Sequence, residues 1–462
     1  MVDLKDTIVA LSSPSGSGAI AMIRMSGNDS ISIIDKFVNK NISNQASHTA
    51  HFVVFKEGES IIDECVVTLF KSPKTYTTED IVEITCHASP YIINRIIISL
   101  TKAGARMASP GEFTQRAYIY GQMDLSQAEA VGDLIASTSA AQHQIAFNQM
   151  KGGVSDKVQK LRSKLIEFAS LIELENDFGE EDLEFADRSA LRAQVDEALM
   201  FVNNLQASFE YGNAIKEGVP VAIVGRPNVG KSTLLNSLLQ EDKAIVSDIP
   251  GTTRDVIEDT LHVEGHLFRF IDTAGIRDTD DEVESLGIKK TFQQIEKAKI
   301  VLFLAEFSED FEQIVSDFKS IEISESQNCI ILLNKVDLYD HTCHSYDVEE
   351  AVSTLTGRTK SILISAKNGE GVMDLRSELV NIVNSFKGHD QSTIISNMRH
   401  FQSLEHTKTS LIDVKTGLET DIPSDLIAID LRRALNHLGE ISGEISTDDL
   451  LDSIFSNFCI GK

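Results

Sequence analysis

Eight consecutive residues, Gly225-Arg226-Pro227-Asn228-Val229-Gly230-Lys231-Ser232, match the pattern G-x-x-x-x-G-K-[ST] at every fixed position. Such a loop captures phosphate. Its glycines let backbone N–H groups from Asn228 through Val229, Gly230, Lys231 and Ser232 to Thr233 close around oxygens. The N-terminus of a following helix adds a favourable dipole. Lys231 is placed to reach the outer phosphates, where its charge serves binding and catalysis alike, and the Ser232 hydroxyl is placed to hold magnesium. The flanks supply the context that the pattern requires. Val219, Val221, Ala222, Ile223 and Val224 read as a buried strand, with Pro220 tolerable near its start, and Leu234, Leu235, Leu238 and Leu239 follow with helical spacing.

Four further segments follow in the order of a guanine-nucleotide domain. Asp272-Thr273-Ala274-Gly275 comes after an apolar run from Leu267 to Ile271; its aspartate suits magnesium through water, and its glycine N–H suits a γ-phosphate. Asn334-Lys335-Val336-Asp337 follows a run from Cys329 to Leu333. Its aspartate can accept two hydrogen bonds from the ring N–H and exocyclic amine of guanine, a pair that adenine does not offer. Ser365-Ala366-Lys367 follows Ile362 to Ile364 and would cover the other side of the base. In Ser247-Asp248-Ile249-Pro250-Gly251-Thr252-Thr253-Arg254-Asp255, the two threonines stand where a switch residue would reach magnesium.

One position informs by what it lacks. Small GTPases commonly carry a glutamine after D-x-x-G to orient the attacking water. Ile276 stands there and cannot do that work. The segment that follows offers Asp278, Asp280, Asp281, Glu282 and Glu284, and local reasoning does not choose among them. No arginine finger is evident, although Arg226 and Arg254 lie nearby. Asn228, three residues before Lys231, could instead hold a monovalent cation beside the phosphates, with carbonyls from Ser247 to Thr252 completing the cage. Asp177-Phe178-Gly179 spells a kinase magnesium motif, but no H-R-D loop accompanies it.

The elements around these motifs imply several domains, as 462 residues exceed one ordinary domain. Residues 1–118 read as mixed α/β, with strands at Thr7 to Leu11, Ala19 to Met25, Cys65 to Phe70 and Ile81 to Thr85 and a helix from Asn94 to Ala103. Long helices are expected over Ala128 to Met150, Val154 to Leu174 and Leu191 to Tyr211, and again over Met398 to Leu418, Ser424 to Leu438 and Asp448 to Phe458. The economical architecture is multidomain α/β plus α: an N-terminal α+β domain (1–118), a discontinuous helical domain (119–217 and 387–462), and an inserted Ras-like P-loop α/β domain (218–386). The acid cluster from Glu173 to Asp187 reads as a solvated face before it reads as a contact for a basic partner.

Composition excludes several classes. A net charge of −28 rules out a generic polyanion binder, so a nucleic-acid substrate needs a local basic patch or a basic partner. Five scattered cysteines without C-x-x-C argue against zinc and disulfides and fit a reducing cytosol. The expected location is cytoplasmic, with no signal peptide and no apolar run near the roughly 20 residues that cross a bilayer.

These residues carry a resemblance over essentially the whole chain. Asp6-Thr7-Ile8-Val9-Ala10, Pro110-Gly111-Glu112-Phe113 with Arg116-Ala117, Asp124-Leu125 with Gln127-Ala128-Glu129-Ala130, the nucleotide motifs, and Phe458-Cys459-Ile460-Gly461-Lys462 resemble the MnmE (TrmE) family of tRNA modification GTPases. The resemblance implies a GTPase subunit that works with an MnmG-type, FAD-containing partner in a heterotetramer. The complex adds an aminomethyl or carboxymethylaminomethyl group to carbon 5 of a tRNA wobble uridine. The one-carbon unit comes from 5-formyltetrahydrofolate or another tetrahydrofolate derivative. Hydrolysis would be potassium-stimulated, and the N-terminal, folate-binding domain would form a homodimer. Position by position, the resemblance assigns potassium to Asn228, Ser247, Ile249 and Thr252, and magnesium to Ser232 and Thr253. Water orientation falls to Glu284, folate contacts to Arg24, Glu83 and Lys462, and a role in modification to Cys459, expected to be accessible near the end of the chain. The family often has a lysine where this chain has Gln122, which implies a folate site that persists with weaker attraction for the ligand's glutamate tail. A ribosome-assembly switch is the competing class, but it would more naturally carry a basic RNA-binding module. A folate-binding scaffold with a decayed nucleotide site is opposed by the intact motifs.

Overall fold

The computed structural model describes residues 5–14, 16, 18–177, 188–242, 259–271, 295–321, 323–324, 327–338, 360–386, 393–420 and 422–461. The chain is mixed α/β and divides into two compact units: Met1–Ile135 with Phe147–Asp196 and His406–Lys462, and Ala136–Ala146 with Glu197–Glu405.

The first unit is built on β1 (Ile8–Leu11), β2 (Ile20–Ser26), α1 (Ser30–Ile34), β3 (Thr49–Glu57), β4 (Ser60–Phe70), β5 (Ile81–His87), α2 (Pro90–Lys102) and β6 (Arg106–Met107). Its six strands lie in the order β3-β4-β5-β2-β1-β6, antiparallel except for the β1–β6 pair. Alternate residues such as Ile23, Met25, Val67, Leu69, Val82 and Ile84 turn inward onto Ile34, Ile96 and Leu100 of the two helices. That alternation is the mark of a sheet with one covered face. β3 was not expected. Its run Phe52-Val53-Val54-Phe55 is apolar on both faces, with Phe52 65% exposed and Phe55 fully buried, so it lacks the polar alternation that signals a half-buried strand. α2 begins earlier than expected because Pro90 occupies its first turn, where a missing N–H costs nothing.

The chain continues through α3 (Glu112–Ile119), α4 (Leu125–Ala136), α5 (Ala140–Met150), α6 (Ser155–Asp177) and α7 (Arg188–Glu217). The single helix expected from Ala128 to Met150 is two. Ser139 and Gln142 form a capping box at the break: Gln142 N donates to Ser139 Oγ at 3.2 Å, and the Gln142 side-chain oxygen accepts from Ser139 N at 3.1 Å.

The second unit carries β7 (Val219–Gly225), α8 (Lys231–Asp242), β8 (Asp259–Val263), β9 (His266–Phe270), β10 (Ile300–Glu306), α9 (Phe311–Lys319), β11 (Asn328–Asn334), β12 (Lys360–Leu363) and α10 (Val372–Ser385). Its sheet runs β12-β11-β10-β7-β9-β8, parallel throughout except for the β8–β9 hairpin. β7, β10 and β11 are almost continuously buried, as expected of parallel strands covered on both faces. Ligands of such sheets gather beyond the carboxyl ends of the strands. All of the described nucleotide motifs begin there, after β7, β11 and β12.

The last helices are α11 (Met398–Glu419), α12 (Ser424–Ser442) and α13 (Asp448–Phe455). Thr447 caps α13 as its sequence suggests, its side chain accepting from Leu450 N at 3.3 Å. Within the first unit, Phe455 packs with Leu125 and Ala128, and Tyr118 Oη donates to Gly443 O at 2.6 Å. Among the described residues, no helix is long and apolar enough to cross a membrane.

Candidate functional site

The glycine loop joins β7 to α8, and its backbone is bent for the task. Asn228 has φ of 64°, in the left-handed region that asparagine tolerates better than most residues. Gly230 has φ of 104°, and a Cβ there would stand 2.3 Å from Asn334 Nδ2, so no larger residue fits. Lys231 Nζ donates to the carbonyls of Gly225 at 2.7 Å and Arg226 at 2.8 Å. Burial pushes the Lys231 ammonium below the usual lysine range. Asn228, Ser232 and Thr233 are exposed and Val229 is buried.

Asn334 ties the motifs together. It is buried at the end of β11, where its Nδ2 donates to Val229 O at 2.7 Å. Its Oδ1 accepts from Ala366 N at 2.9 Å, so one side chain bridges the phosphate loop and the Ser365-Ala366-Lys367 turn. Ser365 Oγ donates to Asp337 Oδ1 at 2.7 Å and so orients the carboxylate. Lys335, at φ of 68°, pairs with Glu306 at 2.6 Å, and Lys367 is exposed. Arg226 pairs with Asp317, a partner 91 positions away that no local pattern announces.

A second polar centre lies in the first unit. Arg24 Nε and Nη2 converge on one oxygen of Glu83, Oε1, at 2.9 and 2.8 Å. The guanidinium sits 6.0 Å from the ring centre of Tyr76 and 5.8 Å from that of Phe113. Burial pushes the Tyr76 phenol up, against the opposing influence of Thr114 and Arg24. Arg24 Nη1 also reaches the carbonyl of Gly461 at 3.4 Å, and Ser12 Oγ donates to that carbonyl at 3.1 Å. The tail therefore returns to the Arg24–Glu83 pair. It is braced from the other side, where Gly111 N donates to Cys459 O at 3.4 Å and Pro110 bridges to Ile460. Glu112 fixes that brace by accepting from Ser109 N at 2.8 Å while it pairs with Arg106 and with fully buried Arg116. Burial pushes the Glu112 carboxyl up, but these bonds outweigh it and hold the group below the usual range. Gln122 is exposed and takes no part in the Arg24–Glu83 bonds. Tyr76, Phe113 and Ser12 were missed by the sequence reading, since only folding brings them beside Arg24.

The cysteines sort themselves by environment. Burial pushes the thiols of Cys65 and Cys329 up to about 12 and that of Cys86 up to about 11, which leaves them inert as nucleophiles. Cys459 is exposed, as expected from its position. Outside the described residues lie Ser247, Asp248, Ile249, Pro250, Gly251, Thr252, Thr253, Asp272, Thr273, Ala274, Gly275, the carboxylates from Asp278 to Glu284, and Lys462. So do Arg254 and most of the acid cluster; its first member, Glu173, pairs with Arg432 at 2.6 Å.

Two family models match this chain. The MnmE helical domain matches residues 125–459, and the GTP-binding protein TrmE N-terminus matches residues 7–122. The chain belongs to the MnmE family of tRNA modification GTPases. Curated members of this family are similar over their full length. A tRNA modification GTPase MnmE of Cytophaga hutchinsonii is 48% identical over 461 residues, covering 99% of this chain and 98% of that protein. The protein of the same name from Flavobacterium psychrophilum is 49% identical over 468 residues, covering 99% of each. That of Bacteroides thetaiotaomicron is 48% identical over 469 residues, covering 99% of this chain and all of its own. Asn334 and Ser365 bring the P-loop, N-K-x-D and S-A-K segments together, and the Arg24–Glu83 pair and the returning tail form a separate polar centre.

Proposed function

We propose that this chain hydrolyses GTP as the switching subunit of a tRNA wobble-uridine modification complex. The single observation that carries the reading is the pair of hydrogen bonds made by the Asn334 side chain, which lock the phosphate loop to the turn flanking Asp337. A base-reading carboxylate and a phosphate cradle are thereby held as one object. Asp337 would accept from guanine, and Lys231 would leave the Gly225 and Arg226 carbonyls for the phosphates. Ser232 is exposed at the start of α8 and suits magnesium; the reading adds Thr253 as its second protein ligand. Asn228 is exposed beside the phosphate cradle and suits a potassium ion, with Ser247, Ile249 and Thr252. Together the two cations would neutralise charge that develops on the phosphates. Glu284 is the proposed water-orienting acid.

The Arg24–Glu83 centre suits a tetrahydrofolate derivative. Glu83 leaves Oε2 outside its ion pair, and a pterin offers the same adjacent N–H and amine that guanine offers to Asp337. Gln122 and Lys462 would meet the remainder of the ligand, and Cys459 would serve modification chemistry. The reading further includes domains at 1–118, 119–217 with 387–462, and 218–386. It includes a homodimer, an MnmG-type FAD-containing partner, tRNA engaged through that complex, and a cytoplasmic location.

The test is GTP turnover in potassium against sodium. Wild type is expected to turn over about tenfold or more faster in potassium, in line with the larger effects known for a missing positive charge in phosphoryl transfer. Asn228→Ala should erase the difference. Equal rates in both salts for wild type would remove potassium from the mechanism.

Lys231 gives a second expectation. Its ammonium is disfavoured by burial in the free chain, and phosphates would favour it, so the complex holds the proton more tightly than the free protein does. GTP affinity should therefore be complete below the free-state pKa. It should weaken as pH rises through it, beginning below the usual lysine range, with net proton uptake on binding. Calorimetry in two buffers of different ionisation enthalpy checks this. Lys231→Arg should lose the uptake; unchanged uptake would assign the proton to another group.

A further inference from the structure

Arg226 is the second residue of the phosphate loop, and its side chain is paired with Asp317. Its Nη2 donates to Asp317 Oδ1 at 3.0 Å while its Nε pairs with Asp317 Oδ2. This is the two-point fork that a planar guanidinium makes with a carboxylate and that an ammonium cannot copy. Asp317 stands on α9 and is itself steadied by Gln313 Nε2, which donates to Oδ1 at 3.0 Å. The peptide of Arg226 is held from its other side too, since its carbonyl accepts from Lys231. Three acids, Glu306, Glu309 and Asp317, lie along this rim. Burial together with Asp317 and Glu306 pushes the Glu309 carboxyl up, and Arg226 offsets part of that push. Glu306 is matched by Lys335 and Asp317 by Arg226.

We propose that Asp317 is a positioning residue for nucleotide binding, holding Arg226 in a bidentate ion pair that fixes the start of the phosphate loop and keeps this guanidinium from serving as an arginine finger. The inference rests on reading residues 225–232 as the nucleotide cradle. Arg226 is a carrier of loop geometry, and the charge that a finger would supply must come from elsewhere in the site. The side chains are 46% and 24% exposed, so water screens the pair and its effect is modest.

The experiment is a double-mutant cycle on the full chain: wild type, Arg226→Ala, Asp317→Ala and the double variant, with Arg226→Lys beside them. Release of a fluorescent GDP analogue and steady-state kcat and KM are read for each. Each alanine variant is expected to speed release about two- to fivefold, the range of exposed but well-formed ion pairs. The double variant should be no worse than either single, and Arg226→Lys should resemble Arg226→Ala. Any change in saturating kcat should be shared by Arg226→Ala and Asp317→Ala, because the two side chains act on the loop as one pair. A loss of kcat of about a hundredfold or more in Arg226→Ala with Asp317→Ala silent would make Arg226 the finger and overturn the inference. Additive effects on release would also overturn it, while leaving the cradle intact. A wild-type chain with no affinity for the GDP analogue would instead remove the cradle on which the inference stands.

Discussion

Asp337→Asn is expected to lower kcat/KM for GTP by about a thousandfold and to create turnover of xanthosine triphosphate. The reason is the count of donors and acceptors. Ser365 Oγ donates to Asp337 Oδ1 at 2.7 Å, which holds the carboxylate plane while leaving acceptor capacity on both oxygens. Guanine meets that plane with two donors. Asparagine replaces one acceptor with an N–H group, so a donor then faces the guanine amine and a buried pair is left unmade. Xanthine carries a carbonyl in place of the amine and restores the match. The bridge that Asn334 builds between Val229 and Ala366 does not pass through Asp337, so the variant should melt with wild type. Steady-state turnover of both nucleotides checks the prediction. A variant with unaltered GTP preference would place base recognition elsewhere.

The nucleotide motifs are legible because each is a contiguous word, and the strand and helix expected on either side of the first are β7 and α8. Gly230, Lys231 and Ser232 need only a strand before them and a helix after them, and the apolar spacing of residues 219–239 announces both. What was not legible is how those words are tied together. Asn334 bonds to Val229 across 105 positions, and Arg226 to Asp317 across 91. No periodicity encodes such pairs; strand order does, because β7 and β11 both flank β10. The break between α4 and α5 is a different kind of miss. Ser139 and Gln142 spell a capping box in the sequence itself, but the apolar spacing on either side reads through it as one helix. β3 failed for a third reason. One edge strand with apolar residues on both faces carries no period that separates it from a short buried helix.

The centre around Arg24 shows how far the family resemblance reaches beyond local reading. Nothing in the neighbourhood of Arg24 or Gly461 links them; the link is made by the chain returning 437 positions later to place the Gly461 carbonyl beside the guanidinium. The antiparallel β2–β5 register then sets Arg24 opposite Glu83, which makes the pair a consequence of strand alignment and not of sequence proximity. A one-residue slip of β2 in that register would turn Arg24 to the covered face, away from Glu83.

Gly461→Ala is the second substitution with a large expected effect, and it isolates this centre from the nucleotide site. Gly461 has φ of 95°, and a Cβ there would stand 2.4 Å from the Leu11 carbonyl and 2.9 Å from Ser12 Cα. Backbone atoms at the end of β1 do not move aside as a flexible side chain would, so the tail must leave. With it go the bonds from Ser12 Oγ and Arg24 Nη1 to the Gly461 carbonyl, and the placement of Cys459, whose carbonyl accepts from Gly111 N. Affinity for a tetrahydrofolate derivative should fall about tenfold or more, the scale of one strained left-handed position with its bonds lost. GTP turnover should stay within about twofold of wild type, because a mutation outside the nucleotide cradle removes no interaction with the reacting phosphates. Gly18→Ala is the matched control, since its Cβ would meet only Ala88 Cβ at an ordinary 3.8 Å. Folate titration and GTP turnover on the three proteins decide the matter. Equal folate affinity in all of them would mean that the tail does not build the site. Equal loss in both variants would mean that the first unit tolerates no added methyl group, and the geometry of Gly461 would then explain nothing in particular.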